Sequence, residues 1–204
     1  MTRLEKLKES PSQTAGPYVH IGCTPNFCGI EGVFSEDLGA QMVTAGTRGE
    51  RISVTGVIYD GAGAPLRDAM VEIWQADADG RMPGGRDPRG GGDPAFSGFG
   101  RQPADGTTGE WRFETIKPGS VPFKTGAPMA PHLTFWIVAR GVNLGLHTRM
   151  YFPEETSANA ADPVLARIEH RERVETLIAT VDGPGRYRFE IHLQGPRETV
   201  FFDI

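Results

Sequence analysis

The sequence predicts an all-β protein: an antiparallel β-sandwich with an extended N-terminal arm, long loops and a short helical insertion. Three observations carry that reading. From Arg51 onward apolar and polar residues alternate with period two, the mark of half-buried strands. Strand-like runs succeed one another at hairpin-like spacing, without the regular helical crossovers of a parallel sheet. The 204 residues include 27 glycines and 16 prolines, more turn formers than average but fewer than a low-complexity chain carries. Such a length suits one domain with extended arms, 1–50 as arm and partner-contacting segment and 51–204 as sandwich core.

Each element can be argued from its residues. RISVTGVIYD alternates Ile52 and Val54 with polar neighbours, and the turn Gly61 to Pro65 leads into a second strand, AMVEIWQAD. GEWRFETI places Trp111, Phe113 and Thr115 on one face and Arg112 and Glu114 on the other. APHLTFWIVARG places His132, Thr134, Trp136, Val138 and Arg140 opposite Leu133, Phe135, Ile137 and Ala139, as a central strand requires. HTRMYF and RYRFEIHLQG continue the pattern. Asp162 and Pro163 predict a helix start, with Val164, Leu165 and Ile168 as its apolar stripe. The stretch Gly80 to Gly106, with PGGRDPRGGGDPAFSGFGR, reads as a long flexible loop without regular structure. The first 50 residues read as an extended arm.

Charge and motif content exclude several classes of function. With 21 Lys+Arg against 26 Asp+Glu, a net charge of −5 disfavours nucleic acid and a polybasic membrane anchor. No stretch approaches the roughly 18 apolar residues of a membrane span. MTRLEKLKESPSQT lacks the apolar core of a signal peptide, so a cytoplasmic protein is expected. Cys23 and Cys28 are then expected to be thiols, and their CxxxxC spacing has no further cysteine pair or nearby histidine to complete a zinc site. The five histidines form no HxH or HExxH pair, and GxSxG and GxxxxGK[ST] are absent, so hydrolase and P-loop chemistry find no support.

Six blocks carry a resemblance: SPSQTAGPYVHIG, VEIWQADADG, GEWRFETIKPG, APMAPHLTFWIVARG, HTRMYF and QGPRETVFFDI. In the same order they resemble the intradiol ring-cleaving dioxygenases, and within them the α-type chains of protocatechuate 3,4-dioxygenases, from about Ser10 to Ile204. The resemblance implies the β-sandwich, and a hetero-oligomer of α chains with homologous β chains. It also implies intradiol cleavage of protocatechuate by O2 to 3-carboxy-cis,cis-muconate.

The family's chemistry uses a non-haem Fe(III) held by two tyrosinates and two histidines. Where iron-binding members read PAHxHF, this chain reads Ala130-Pro131-His132-Leu133-Thr134-Phe135, so His132 remains and Thr134 replaces the second histidine. Where they read IKPGxYPW, the tyrosine position is Val121, and the stretch from Asp79 to Arg101 supplies no other tyrosine. The resemblance therefore implies that Fe(III) sits in the β chain and that this chain binds no metal. His132, Thr134 and Val121 would be a vestigial site filled with ordinary side chains.

Arg140 lies eight residues after His132, about 26 Å along a regular strand at ~3.3 Å per residue, too far to serve that position. By resemblance, Arg140 and the turn residues Gly16, Pro17 and Tyr18 line the partner chain's substrate pocket. Arg140 would supply charge for the substrate carboxylate, Gly16 and Pro17 a close backbone approach, and Tyr18 an aromatic wall. Two other readings are a non-catalytic β-sandwich carrier of small aromatic acids and a self-sufficient homomeric catechol dioxygenase, which the lost tyrosines oppose.

Overall fold

The computed structural model describes residues 14–84 and 87–203. A helix, α1 (Pro17–Cys23), precedes the strands β1 (Arg51–Tyr59), β2 (Met70–Trp74), β3 (Phe99–Pro103), β4 (Glu110–Ile116), β5 (His132–Val138) and β6 (Leu146–Tyr151). Then come α2 (Thr156–Ala161), two 3-10 turns at Leu165–Arg167 and Arg171–Leu177, and β7 (Thr180–Val181), β8 (Arg186–Arg188) and β9 (Ile191–His192).

These strands form two sheets, one ordered β4-β1-β8-β7 with β9 also on β1, the other β3-β2-β5-β6. The expected alternation works as the packing device. Leu133, Phe135 and Ile137 of β5 are fully buried, and Trp111 of β4 meets Phe135 edge-on with ring centroids 5.4 Å apart. Phe135 also packs on Phe189 at 5.3 Å, so aromatic rings join the two sheets. The His132 face of β5 is only half-buried and points away from this core.

Several expectations need correction. β1 and β2 belong to different sheets, so the turn between them crosses the sandwich rather than closing a hairpin. β1 pairs antiparallel with β4 but parallel with β8 and β9. The run RYRFEIHLQG is interrupted at Phe189, whose amide donates to the Thr55 carbonyl at 2.8 Å. Gly56 makes that approach possible: a Cβ there would lie 1.9 Å from the Phe189 oxygen and 2.4 Å from Trp111 Cζ2.

The stretch 80–106 contains β3, paired with β2 from Met70↔Pro103 to Trp74↔Phe99. The rest of that loop folds around three buried aspartates, Asp77, Asp87 and Asp93. Asp77 accepts the amides of Asp79, Arg81 and Asp93 at 2.8–3.0 Å, and Asp87 takes those of Met82 and Arg89. Carboxylates that satisfy backbone donors order a glycine-rich segment without regular structure. The Arg89 guanidinium holds the Asp87 carboxyl well below the usual carboxylate range.

The helical insertion is also different in kind. Asp162 Oδ1 caps the amides of Val164 and Leu165 at 2.7 and 2.9 Å, as its N-cap chemistry predicts. The capped segment is only a single 3-10 turn, because Leu165 drops into a small core with Ala130, Tyr151 and Leu177 and the chain is extended again at Ile168. α2, just upstream, gave no sequence signal because none of its residues is buried. The extended arm likewise contains α1, while residues 1–13 lie outside the described part.

Candidate functional site

The outer face of β5 carries a cavity at each end. At the first end, the cavity of about 1020 Å³ is lined by Trp74, Val121, Met129, His132, Thr134 and Arg149, with Asp87 and Arg89 of the aspartate-ordered loop at its edge. The loop is anchored by close backbone approach: Gly80 has φ +69°, and a Cβ there would lie 1.9 Å from the Ser120 carbonyl oxygen. The expectation of a filled vestigial site is therefore not met. His132, Thr134 and Val121 do come together, around open space.

The chemistry of these groups is unlike that of a ferric centre. The His132 ring stands 2.7 Å through Nδ1 from the Ala130 carbonyl; a carbonyl only accepts, so Nδ1 carries the proton and Nε2 is bare. Burial, reinforced by the Arg149 charge, pulls the imidazole down to about 4, so it is neutral. Tyr151, register partner of His132, is fully buried, and burial pushes its phenol up to about 12, the opposite of what a tyrosinate ligand needs. Val121 and Thr134 offer no anionic oxygen or imidazole. Among the described residues no three His, Cys, Asp or Glu side chains converge as metal ligands. The residues at this end do not fit iron.

Arg149 was not foreseen. It sits opposite Thr134 across the β5–β6 pairing, directs Nη1 to Met129 Sδ and the Tyr151 hydroxyl at 3.4 Å each, and stacks over Phe202 at 5.8 Å. The only sequence signal is its place in HTRMYF, two residues before a strand-ending tyrosine.

At the second end, a cavity of about 540 Å³ is lined by Gly16, Val19, His20, Asp68, Val138 and Arg140, among others. Arg140 and Gly16 thus line the same cavity. The Arg140 side chain is 79% exposed and meets Asp68 at 3.3 Å, a solvent-facing pair that leaves the guanidinium available. Pro17 is the first residue of α1, where its missing amide costs nothing, and Tyr18 is 84% exposed and stands outside the cavity lining. Thr14 was missed, although it belongs to the TAGPY turn. Its hydroxyl donates to the Ala139 carbonyl at 3.3 Å and accepts the Gly141 amide at 2.7 Å, bracketing Arg140. Arg101 extends the attachment, pairing with Glu72 at 2.7 Å and donating to the Cys23 carbonyl at 3.4 Å. Cys23 and Cys28 are free.

A family profile described as "Dioxygenase" matches residues 24–195. The protocatechuate 3,4-dioxygenase alpha chain of Pseudomonas putida is 45% identical over 204 residues, 98% of this chain and 99% of that one. The chain belongs to the intradiol dioxygenase family. The alpha chain from Burkholderia cepacia is 41% identical, covering 97% of this chain and 98% of its own length. The same organism's beta chain is 36% identical over 174 residues, 80% of this chain and 73% of that one. Among solved structures, the intradiol ring-cleavage dioxygenase of Tetranychus urticae superposes with a TM-score of 0.56 at 22% identity, covering 79% of this chain and 89% of that one. The 3-chlorocatechol 1,2-dioxygenase of Rhodococcus opacus gives 0.54 at 22%, covering 76% of this chain and 65% of that one. These structures share the sandwich. Within the intradiol dioxygenase family, this chain keeps the fold, and among the described residues no ferric ligand set lines its cavity.

Proposed function

We propose that this chain is the α subunit of a protocatechuate 3,4-dioxygenase, completing the substrate pocket of an iron-bearing β-type partner. The holoenzyme would cleave protocatechuate between its two hydroxylated carbons, inserting both atoms of O2 to give 3-carboxy-cis,cis-muconate, in the cytoplasm. The observation that carries the reading is the second end of β5: a solvent-facing Arg140, held by Thr14 and Asp68, beside an arm rich in exposed apolar side chains. Tyr18, Phe27, Val33 and Leu38 are all more than half exposed. An apolar surface of this kind marks a protein–protein contact.

The chemistry assigned to this chain is binding and orientation. Once a partner covers the arm, water leaves the surroundings of Arg140 and its attraction for the substrate carboxylate strengthens. Gly16, without a side chain, lets the backbone approach the ring, Pro17 stiffens the turn, and Tyr18 supplies an aromatic face to the contact. Covering the arm also buries the Asp68 pair, so the substrate carboxylate and Asp68 share one guanidinium. Thr14 fixes the backbone on either side of Arg140 and so sets where its side chain begins.

The test is co-expression with a β-type chain from the same genome. The reading expects both chains to purify together and ring cleavage to require both; an active lone chain, or a β chain equally active without it, refutes the reading. Stable purification of this chain alone, with no affinity for the β-type chain, would favour the carrier alternative, for which the large cavity is the one supporting observation.

A further inference from the structure

Among the described residues, Arg149 at the larger cavity has no carboxylate within 4 Å, although it also borders a second cavity lined by Glu169 and Asp203. Arg149 Nε is buried and has no acceptor, and Nη1 reaches only a thioether and a phenol hydroxyl. The neighbouring arginine is already neutralised, since Arg89 Nε donates to Asp87 Oδ1 at 2.9 Å. His132 is neutral and exposes a bare ring nitrogen, and Thr134 adds a hydroxyl. The remaining wall is largely apolar, through Trp74, Val121 and Met129. A guanidinium in such surroundings attracts an anion far more strongly than it would in water, and an unpaired buried donor is costly. A volume of about 1020 Å³ lies at the top of the range of small-molecule pockets, about 300–1,000 Å³.

We propose that this cavity binds a small monocarboxylate with a flat apolar body, its carboxylate on Arg149 and its body against Trp74, Val121 and Met129. The lining selects that class. Among the described residues, one uncompensated positive charge matches one carboxylate, and a dianion would leave a charge facing apolar side chains. The Arg149 charge and the Thr134 hydroxyl meet a carboxylate, while the bare His132 nitrogen takes a ligand hydroxyl as donor rather than a second carboxylate. The site needs no metal and makes or breaks no bond, and it belongs to this chain's own cavity whether or not the pairing with a β-type chain holds.

The experiment is a fluorine NMR titration with 4-fluorobenzoate on the full-length chain, together with any partner chain that purifies with it. Beyond any binding that Arg140→Ala removes, one saturable site in this chain is expected, weakened about tenfold to a hundredfold in Arg149→Met, the loss of a charge-assisted hydrogen-bond pair, and less in Arg149→Lys. Thr134→Trp fills the cavity from the outer face of β5 and leaves Arg149 in place; it should abolish the same site, so the proposal stays testable if Arg149→Met does not fold. Binding that neither substitution changes, or no saturable binding in the millimolar range, overturns the proposal. Acetate competing as well as 4-fluorobenzoate overturns its apolar half, and neutral 4-fluorobenzamide binding equally well overturns its charged half.

Discussion

β5 joins two unlike ends. At its beginning, His132 and Thr134 border a large cavity whose groups are neutral or tied to the backbone, with Arg149 its one unpaired charge among the described residues. At its end, the half-exposed face reaches a smaller cavity where Arg140 stands in solvent, its flanking backbone held by Thr14 and, among the described residues, its guanidinium paired with Asp68 alone. The inner face of the same strand, Leu133, Phe135 and Ile137, is fully buried throughout. The contrast teaches that the sandwich depends on one face of the strand, so the other face is free to lack a ligand set at one end and carry an accessible cation at the other.

The largest effect is expected from breaking the first end's support. Asp162 is fully buried, and its Oδ2 accepts the Ala130 amide at 2.8 Å while Oδ1 caps the 3-10 turn. Asp162→Ala strands three backbone donors and should cost about 3 kcal/mol or more, a fall in Tm of roughly 6–12 °C for a chain this long, read by calorimetry. Equal loss from Asp68→Ala would erase the difference between the ends. Arg140→Ala comes next: kcat/KM for protocatechuate in the assembled enzyme should fall about tenfold to a hundredfold, with Tm nearly unchanged because an exposed pair contributes little. Unaltered kinetics with normal assembly would remove Arg140 from the pocket.

Thr14→Ala sharpens the second end. Losing the two hydrogen bonds that bracket Arg140 should cost several-fold in kcat/KM, and Thr14→Ser, which keeps the hydroxyl, should restore it. A failure of serine to rescue would assign the loss to the methyl group instead. The smallest effect is a pH dependence at the first end. The folded protein holds His132 at about 4 against an ordinary 6.5, so between those values the unfolded chain binds more protons. Stability from this source is full above about 6.5 and falls as the pH drops toward 4. Denaturant titrations of His132→Gln should show a flatter acid-side slope than wild type; an unchanged slope would leave the effect to His147 and His192, which burial also lowers.

Much of this was visible in the sequence wherever one residue's chemistry decides its environment. Alternation located β5 and sorted its faces, and His132, Thr134 and Val121, singled out in the sequence, line one cavity. The features that escaped depend on residues far apart in sequence. β3 hides in a glycine-rich stretch because its order comes from pairing with β2 and from carboxylates such as Asp77, which collects the amide of Asp93 sixteen positions away. The open cavity and Arg149 escaped for the same reason: HTRMYF shows an arginine on a strand but not that its guanidinium lacks a carboxylate partner. Thr14 lies 125 residues from the Ala139 carbonyl it holds, and no local pattern records that contact.

The central claim is that this chain contributes pocket walls and charge but no metal site. Elemental analysis of iron in the co-purified assembly, set against the ratio of the two chains, tests it most directly. One iron for each pair of chains, with none in this chain when it is separated from its partner under native conditions, is the predicted result. Two irons per pair, or stoichiometric iron retained by this chain alone, would contradict it.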